Sequence, residues 1–252
     1  MLKPRVIPCL LLKEEGLVKT ENFKNPTYVG DPVNAVKLFN EKEADELIVL
    51  DIDATVNDTE PNYRLISEIA TECRMPLCYG GGIKTLEQAK KIIGLGVEKL
   101  AISSAALNDS KIINEIVNEV GSQSVSVVLD VRKKLFGDYE VYTHNGKKRL
   151  KTNPFDLIPE IENLGAGEII VNSIDQDGKM KGYDLNLAKR IRETVNIQLS
   201  ILGGAGNLDD IRELIKECGI IGAIAGSLFI YKGRLKAVLI NYPSSTEKQD
   251  LF

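Results

Sequence analysis

Carboxylates follow three of the short hydrophobic runs in this sequence. Asp51 and Asp53 come after ELIVL, Asp130 ends the run VSVVLD, and Asp175 and Asp177 follow EIIVN. A carboxylate at the end of a buried strand can act as a general acid or base, and Asp130 is the strongest candidate because it closes a buried run. The ordinary alternative is that such side chains cap loops or helices, which would account for at least half of the five.

Two glycine-rich segments, GGGI from Gly80 and GGAG from Gly203, could present backbone N–H groups that no side chain shields. Each is followed one strand later by small residues at a helix start, where N–H groups and the helix dipole favour anions. Two such sites on one face suit an elongated ligand with two phosphates; tight turns are the alternative explanation. The candidate phosphate-binding residues are Gly81, Gly82, Ser103, Ser104, Gly203, Gly204, Gly206, Gly226 and Ser227.

Charged residues also precede four of the hydrophobic runs, namely Arg5, Glu46, Lys99 and Glu168. With two residues of each sign, the ordinary interpretation is a stabilising ionic plug. Lys19, in a long loop, could close over a phosphate or could simply be solvated. His144 is the only histidine, so the sequence indicates no metal site, and we expect no cofactor.

The hydrophobic runs alternate with amphipathic helical stretches, which is typical of repeated βα units. We predict strands near 5–12, 46–51, 77–80, 99–103, 124–130, 168–172, 198–202 and 222–226. Eight such units in 252 residues predict an α/β protein with a (β/α)8 TIM barrel, in which functional groups lie at the C-terminal strand ends. We expect one barrel domain over 1–243 and a loosely ordered tail over 244–252.

An internal repeat divides the predicted barrel into half-barrels of about 1–120 and 121–243. GGGIKTLEQAKK from position 80 resembles LGGAGNLDDIRE from position 202, with Gly81 matching Gly203 and Asp53 matching Asp175. Extending the repeat backward aligns the run from Val6 with the run from Val125. Leu11 then falls opposite Asp130, where a second carboxylate would be expected.

Composition limits the possible partners. The formal net charge is −4 with acids and bases interspersed, so no basic surface indicates nucleic acid or an anionic membrane. The four cysteines have neither zinc-site spacing nor the density of a disulfide scaffold, and no hydrophobic run is long enough for a membrane span. We therefore expect a soluble cytoplasmic protein whose ligand is a phosphorylated small molecule.

Several quoted segments together resemble the HisF family, the cyclase subunits of imidazole glycerol phosphate synthase. The likeness runs nearly end to end through RVIPCL, DELIVLDIDA, the GGGI loop, GSQSVSVVLDVR, GAGEIIVNSIDQDGKMKGYD and GGAG. It implies a HisH-like glutaminase subunit docked on the N-terminal barrel face, with Arg5, Glu46, Lys99 and Glu168 forming the gate through which ammonia enters. It also implies substrate contacts at Lys19, Asp51 and Asp177.

The same likeness implies an acid–base pair of two aspartates, of which Asp130 matches one while Leu11 occupies the position of the other. Ser103 and Leu202 are further departures from the family pattern. A retained gate with a lost acid suggests HisF paralogues of surface-polysaccharide clusters, which supply ammonia to a sugar amidotransferase that makes acetamidino sugars. Two alternatives stay open: a true histidine-pathway cyclase (a lyase), and a non-catalytic scaffold that activates a glutaminase.

Overall fold

The computed structural model describes residues 3–251, in which eight parallel strands close into a barrel. The predicted (β/α)8 barrel is confirmed, because the strand Val125–Lys133 pairs with the strand Glu168–Ser173 and thereby closes the barrel. The barrel strands are β1 (Arg5–Lys13), β4 (Leu47–Asp51), β5 (Leu77–Gly80), β6 (Lys99–Ile102), β7 (Val125–Lys133), β10 (Glu168–Ser173), β11 (Gln198–Leu202) and β12 (Gly222–Ala225).

Helices connect the barrel strands, and several of them begin at side-chain caps. Asp31 and Asn153 each accept a backbone N–H at a helix start, and Pro32 and Pro154 occupy the first helical turn, as expected. The helices are α1 (Pro32–Glu41), α2 (Tyr63–Glu72), α3 (Leu86–Gly94), α4 (Ser104–Asn108), α5 (Lys111–Val120), α6 (Pro154–Asn163), α7 (Leu185–Arg192), α8 (Leu208–Cys218), α9 (Ser227–Ile230) and α10 (Ser245–Gln249).

Hairpins fill both long insertions at the C-terminal ends of barrel strands. The loop after β1 is a hairpin of β2 (Gly16–Glu21) and β3 (Lys24–Gly30), which the sequence did not reveal. The predicted hairpin at Asn145-Gly146 is present between β8 (Tyr139–Thr143) and β9 (Lys148–Arg149). A third hairpin, of β13 (Tyr231–Lys232) and β14 (Ala237–Val238), follows α9.

The apolar side chains form two separate cores. The larger core lies between the strands and the surrounding helices. The smaller lies inside the barrel and contains Ile7, Cys9, Ile48, Cys78, Ala101, Val128, Ile170, Leu202 and Ile224, with Leu11 and Leu50 packed against it. Because side chains alternate along a strand, Arg5, Ile7, Cys9 and Leu11 of β1 all belong to the interior.

The internal repeat is visible in local structure. Thr85 and Gln88 form a capping box at the start of α3, and Asn207 and Asp210 form the corresponding box at the start of α8. The same offset of 122 residues relates Glu46 to Glu168. Equivalent positions of the half-barrels can therefore be compared directly.

The C-terminal segment differs from the expected loose tail. Ser244 and Glu247 form a capping box that begins α10, Lys248 Nζ lies 2.6 Å from Asp45 Oδ1, and Leu251 is buried. A short polar segment is typical of a disordered tail, but here the capping box and the buried Leu251 hold it in place.

Candidate functional site

A cavity of about 350 Å³ opens at the C-terminal ends of the barrel strands. It gathers residues that are distant in sequence, including Leu11 and Asp130 from opposite half-barrels. Its lining contains most of the predicted site residues: Leu11, Lys19, Asp51, Gly81, Gly82, Ser103, Ser104, Asp130, Asp177, Gly203, Gly204, Gly226 and Ser227.

Three of the five candidate aspartates are held by backbone N–H groups or by an ion pair in neighbouring loops. Asp51 accepts the N–H groups of Asp53 and Ala54 at 2.9 and 3.0 Å, and Asp53 pairs with Lys13 at 3.2 Å. Asp175 accepts the Lys133 N–H at 2.9 Å. These carboxylates cap turns or join loops, so the ordinary interpretation applies to them.

Asp130 differs from these three because its hydrogen-bond partner is another side chain of the cavity. Its Oδ1 accepts from Asn172 Nδ2 at 3.1 Å, and burial raises the pKa of Asp130 to about 7. The Asn172 Oδ1 is buried without a hydrogen-bond partner within residues 3–251. A carboxyl group with a pKa near neutrality can give or take a proton under ordinary conditions.

The equivalent pair in the first half-barrel is apolar. Leu11 lies beside Leu50 on adjacent strands, as Asp130 lies beside Asn172. The two mouths therefore present a leucine pair and a carboxyl–amide pair at related positions. Asn172 was not predicted as a site residue, although the repeat offset of 122 residues places it at the position equivalent to Leu50.

Lys19 is buried at the mouth rather than solvated. Its side chain is 7% exposed, and Nζ donates to the Cys9 carbonyl at 3.2 Å. Burial lowers the pKa of Lys19, and the charges of Cys9 and Asp177 oppose this only in part. A Cβ on Gly226 would lie 2.0 Å from Lys19 Nζ, so a side chain at position 226 would displace the lysine from this position.

Asp177 holds the β2–β3 hairpin over the cavity. Its Oδ2 accepts from the Thr20 hydroxyl at 2.9 Å and from the Phe23 N–H at 3.1 Å. Burial raises the pKa of Asp177. Thr20 and Phe23 were not predicted as site residues because nothing in the sequence of the loop indicated its hairpin.

The glycines at the cavity are required by backbone packing. A Cβ at Gly81 would lie 2.4 Å from the Asp51 carbonyl oxygen, and one at Gly203 would lie 2.8 Å from that of Ser173. Both residues have positive φ, at 122° and 102°. Tight turns therefore explain these glycines whether or not a phosphate binds.

One predicted phosphate residue lies outside the cavity. The Gly206 N–H donates to Asp210 Oδ2 at 2.7 Å, because Asp210 belongs to the capping box of α8. Ser103 is different: its Oγ is buried without a partner in the described part of the chain, and it makes no side-chain cap at α4. Ser103 is thus available to a ligand in the cavity, whereas Gly206 is not.

The four charged residues at the opposite, N-terminal end of the barrel form a closed ring. Arg5 Nη1 contacts Glu46, and Arg5 Nη2 is 2.7 Å from Glu168. Lys99 Nζ bridges the same two carboxylates at 3.0 and 3.1 Å. Burial alone would raise the pKa of Glu168, but Arg5 and Lys99 outweigh it and lower that pKa.

Two buried serines, missed from the sequence, add to the ring on one side only. Ser200 Oγ donates to Glu168 Oε1 at 2.5 Å, and Ser126 Oγ donates to Oε2 at 3.1 Å. Glu168 thus accepts from four side chains, while Glu46 accepts from Arg5 and Lys99. The ring is held more firmly at Glu168 than at Glu46.

The inner apolar core lies between the ring and the cavity. Cys9, Ala101, Val128 and Leu202 belong both to that core and to the cavity lining. An ion would lose its hydration in such a layer at a large cost in free energy, whereas a small neutral molecule would not. All four cysteines are free thiols, and burial raises the pKa of Cys9 to about 11.

Within residues 3–251, no group of three or more His, Cys, Asp or Glu side chains is arranged to hold a metal ion. None of the described helices combines the length and hydropathy that a membrane crossing requires.

Known proteins with the same pattern are numerous. The family model described as "Histidine biosynthesis protein" matches residues 5–236. A Leptospira borgpetersenii protein, provisionally named imidazole glycerol phosphate synthase subunit HisF, is 56% identical over 253 residues and covers 100% of both chains. A Pseudomonas aeruginosa protein, provisionally named subunit hisF2, is 51% identical over 96% of this chain and 97% of its own. Subunit HisF of Streptococcus sanguinis, named without that qualification, is 37% identical over 92% of each chain.

Proposed function

The chain belongs to the histidine biosynthesis protein family as a HisF-like member, and we propose that it channels ammonia for a glutamine amidotransferase without performing the cyclase reaction. In this proposal a HisH-like glutaminase docks at the N-terminal face. Ammonia passes through the barrel to a sugar amidotransferase, which forms an acetamidino group on a nucleotide sugar for surface polysaccharide. The proposed compartment is the cytoplasm.

The observation that carries the proposal is Leu11 beside Leu50, opposite the Asp130–Asn172 pair. A cyclase reaction that needs two carboxyl groups has only one here. Leucine can neither give nor accept a proton, and the loss of one general acid or base costs about 10²- to 10⁴-fold in rate. The other carboxyl groups that line the described cavity are engaged with neighbouring groups: Asp51 with its own turn, Asp177 with Phe23, and Asp58 with Lys84.

The ring at the opposite end supports ammonia passage. Arg5, Lys99 and the two glutamates form a closed, charge-balanced layer, and Glu46 is its less anchored member. We propose that the gate opens by separating Lys99 from Glu46, since this contact is single while Glu168 keeps its serine partners. The apolar core behind the ring then favours neutral ammonia over ammonium.

The cavity also supports the proposal of a phosphorylated ligand, although the negative charge of its inner carboxylates opposes the binding of a phosphate. Asp51, Asp130 and Asp177 outnumber Lys19 among its inner ionisable groups, so a phosphate must be held mainly by backbone N–H groups. The free Ser103 hydroxyl supports such a site beside α4. Lys19 supports a second one near Gly226.

The cyclase of histidine biosynthesis is the second candidate. It is favoured by the full-length similarity to the HisF subunits named above and by Asp130, whose pKa near 7 suits acid–base work. In that case some other group would replace the missing carboxylate.

Turnover of the histidine-pathway intermediate with an ammonium salt separates these functions. We expect the wild-type chain to be about 10²- to 10⁴-fold slower than a HisF cyclase with both aspartates. Turnover at a normal cyclase rate would rule out the proposal. Leu11→Asp tests whether the rest of the cyclase site persists, and Leu11→Asn is its matched control because it adds a polar group that cannot titrate.

A further inference from the structure

An unfilled set of hydrogen-bond acceptors lies at the top of the inner apolar core. Asn172 is 5% exposed, and its Oδ1 has no partner within residues 3–251. Its Nδ2 is committed to Asp130 Oδ1, and both residues line the cavity. A buried carbonyl oxygen without a donor is costly, so a small ligand that donated a hydrogen bond to Oδ1 would remove that cost.

We infer that Asp130 and Asn172 form a binding site for an ammonium ion, with the Asp130 carboxylate and the Asn172 Oδ1 as its acceptors. The ion suits both atoms because it carries positive charge and four N–H donors. The inference rests on the proposed function only in supposing that ammonia reaches this cavity. Such a site gives Asp130 a task that does not need a second carboxylate at position 11.

The other ionisable groups of the cavity leave this pair free. Lys19 Nζ donates to the Cys9 carbonyl and not to Asp130. Asp177 accepts hydrogen bonds from Thr20 and Phe23. Its negative charge helps to raise the pKa of Asp130. Asp51 is committed to its own turn, and His144 to Thr143. The carboxylates thus give the inner cavity an excess of negative charge.

The proton transfer balances without any further reactant. Ammonia that emerges from the apolar core meets the neutral Asp130 carboxyl group. The nitrogen lone pair forms a new N–H bond, the carboxyl O–H bond breaks, and its electron pair remains on the carboxylate. The reverse transfer releases ammonia and restores the acid.

Such a site would slow the return of nitrogen through the barrel. Ammonia crosses the layer of Ile7, Ile48 and Ile170 as a neutral molecule, but ammonium cannot return through it without losing its hydration. Protonation at Asp130 therefore retains the nitrogen at the C-terminal mouth. A leucine at position 11 keeps competing acceptors away from the ion.

The test measures the Asp130 carboxyl titration by carbon-13 NMR in the isolated chain. Ammonium chloride is compared with tetramethylammonium chloride at equal ionic strength, since the latter has the same charge but no N–H donor. We expect ammonium to lower the pKa of Asp130 by about one unit, which is a tenfold preference for the carboxylate. Asp130→Asn assigns the signal.

Variants define the acceptors. Asn172→Leu keeps the side-chain size and should abolish the ammonium effect, whereas Asp51→Asn, which alters a charge elsewhere in the lining, should retain it. Equal shifts with both salts, or no shift with ammonium, would overturn the inference, and so would a full effect in Asn172→Leu. Because no glutaminase or acceptor is present, the result is independent of whether ammonia is channelled.

Discussion

At the residue scale, Leu11 and Asp130 show how one fold can keep a site and change its chemistry. They hold equivalent positions in the two half-barrels, and each is matched by its strand neighbour, Leu50 or Asn172. A carboxyl group between apolar walls has a raised pKa because the charged form loses hydration. The pair in the second half-barrel thus contains a proton donor, and the equivalent leucine pair in the first contains none.

Asp130 should destabilise the folded chain at alkaline pH. Its pKa is about 7 when folded and near 3.8 when unfolded, so the folded state keeps a proton that the unfolded state has lost. Stability therefore falls as pH rises from about 4 to 7. We expect Asp130→Asn to raise the free energy of unfolding by roughly 1–4 kcal/mol at pH 8 relative to wild type.

Denaturant unfolding at several pH values checks this expectation. The difference between Asp130→Asn and wild type should be small at pH 4, grow up to pH 7 and then stay level. A difference that is the same at pH 4 and pH 8 would mean that Asp130 titrates normally in the folded chain.

At the element scale, one carboxylate tethers the turn of the β2–β3 hairpin, whose other end pairs with β1. Asp177 binds both Thr20 and Phe23, and these contacts close the hairpin over the cavity mouth. Asp175 lies two residues away but instead accepts the Lys133 N–H at the β7–β8 hairpin. The two aspartates therefore hold different hairpins.

Asp177→Ala should free the β2–β3 hairpin without unfolding the barrel. We expect faster hydrogen exchange of backbone amides in Gly16–Gly30, because local opening sets exchange in such segments. Asp175→Ala is the matched control and should accelerate exchange near Lys133 instead. Unchanged exchange of Gly16–Gly30 in Asp177→Ala would show that other contacts hold the hairpin.

Much of the element arrangement was predictable, and the failures have physical reasons. Short β-branched runs such as EIIVN indicated strand positions directly, and Asp31-Pro32 indicated a helix start. The β2–β3 hairpin was missed because its turn around Asn22 and Phe23 uses non-glycine residues with positive φ. Asn172, Ser126 and Ser200 were missed because their roles come from side chains on adjacent barrel strands that are distant in sequence, which no local pattern reveals.

At the scale of the whole molecule, the charged ring ties the two half-barrels together. Arg5, Glu46 and Lys99 come from the first half and Glu168 from the second. Both glutamate side chains are almost fully buried, at 4% and 5% exposure. A buried ion-pair network is sensitive to the loss of one member, because the remaining charge is left uncompensated.

Lys99→Met should cost about 3–5 kcal/mol in the free energy of unfolding, since Glu46 and Glu168 would then share Arg5 alone. Adding Glu46→Gln should recover part of that loss by removing the unpaired charge. Lys90→Met is the control, because the Lys90–Glu119 pair is exposed and such pairs contribute about 0–1 kcal/mol. Equal effects of Lys99→Met and Lys90→Met would mean that the ring adds no more than a surface pair.

The central claim is that nitrogen from glutamine passes through this barrel to an acceptor at the other face. The direct measurement uses the complex of this chain with its glutaminase and the sugar amidotransferase, supplied with glutamine labelled with nitrogen-15 at the amide and excess unlabelled ammonium. Mass spectrometry then gives the isotope content of the amidinated product. We predict that the product carries mainly nitrogen-15; a product with the isotope composition of the bulk ammonium would contradict the account.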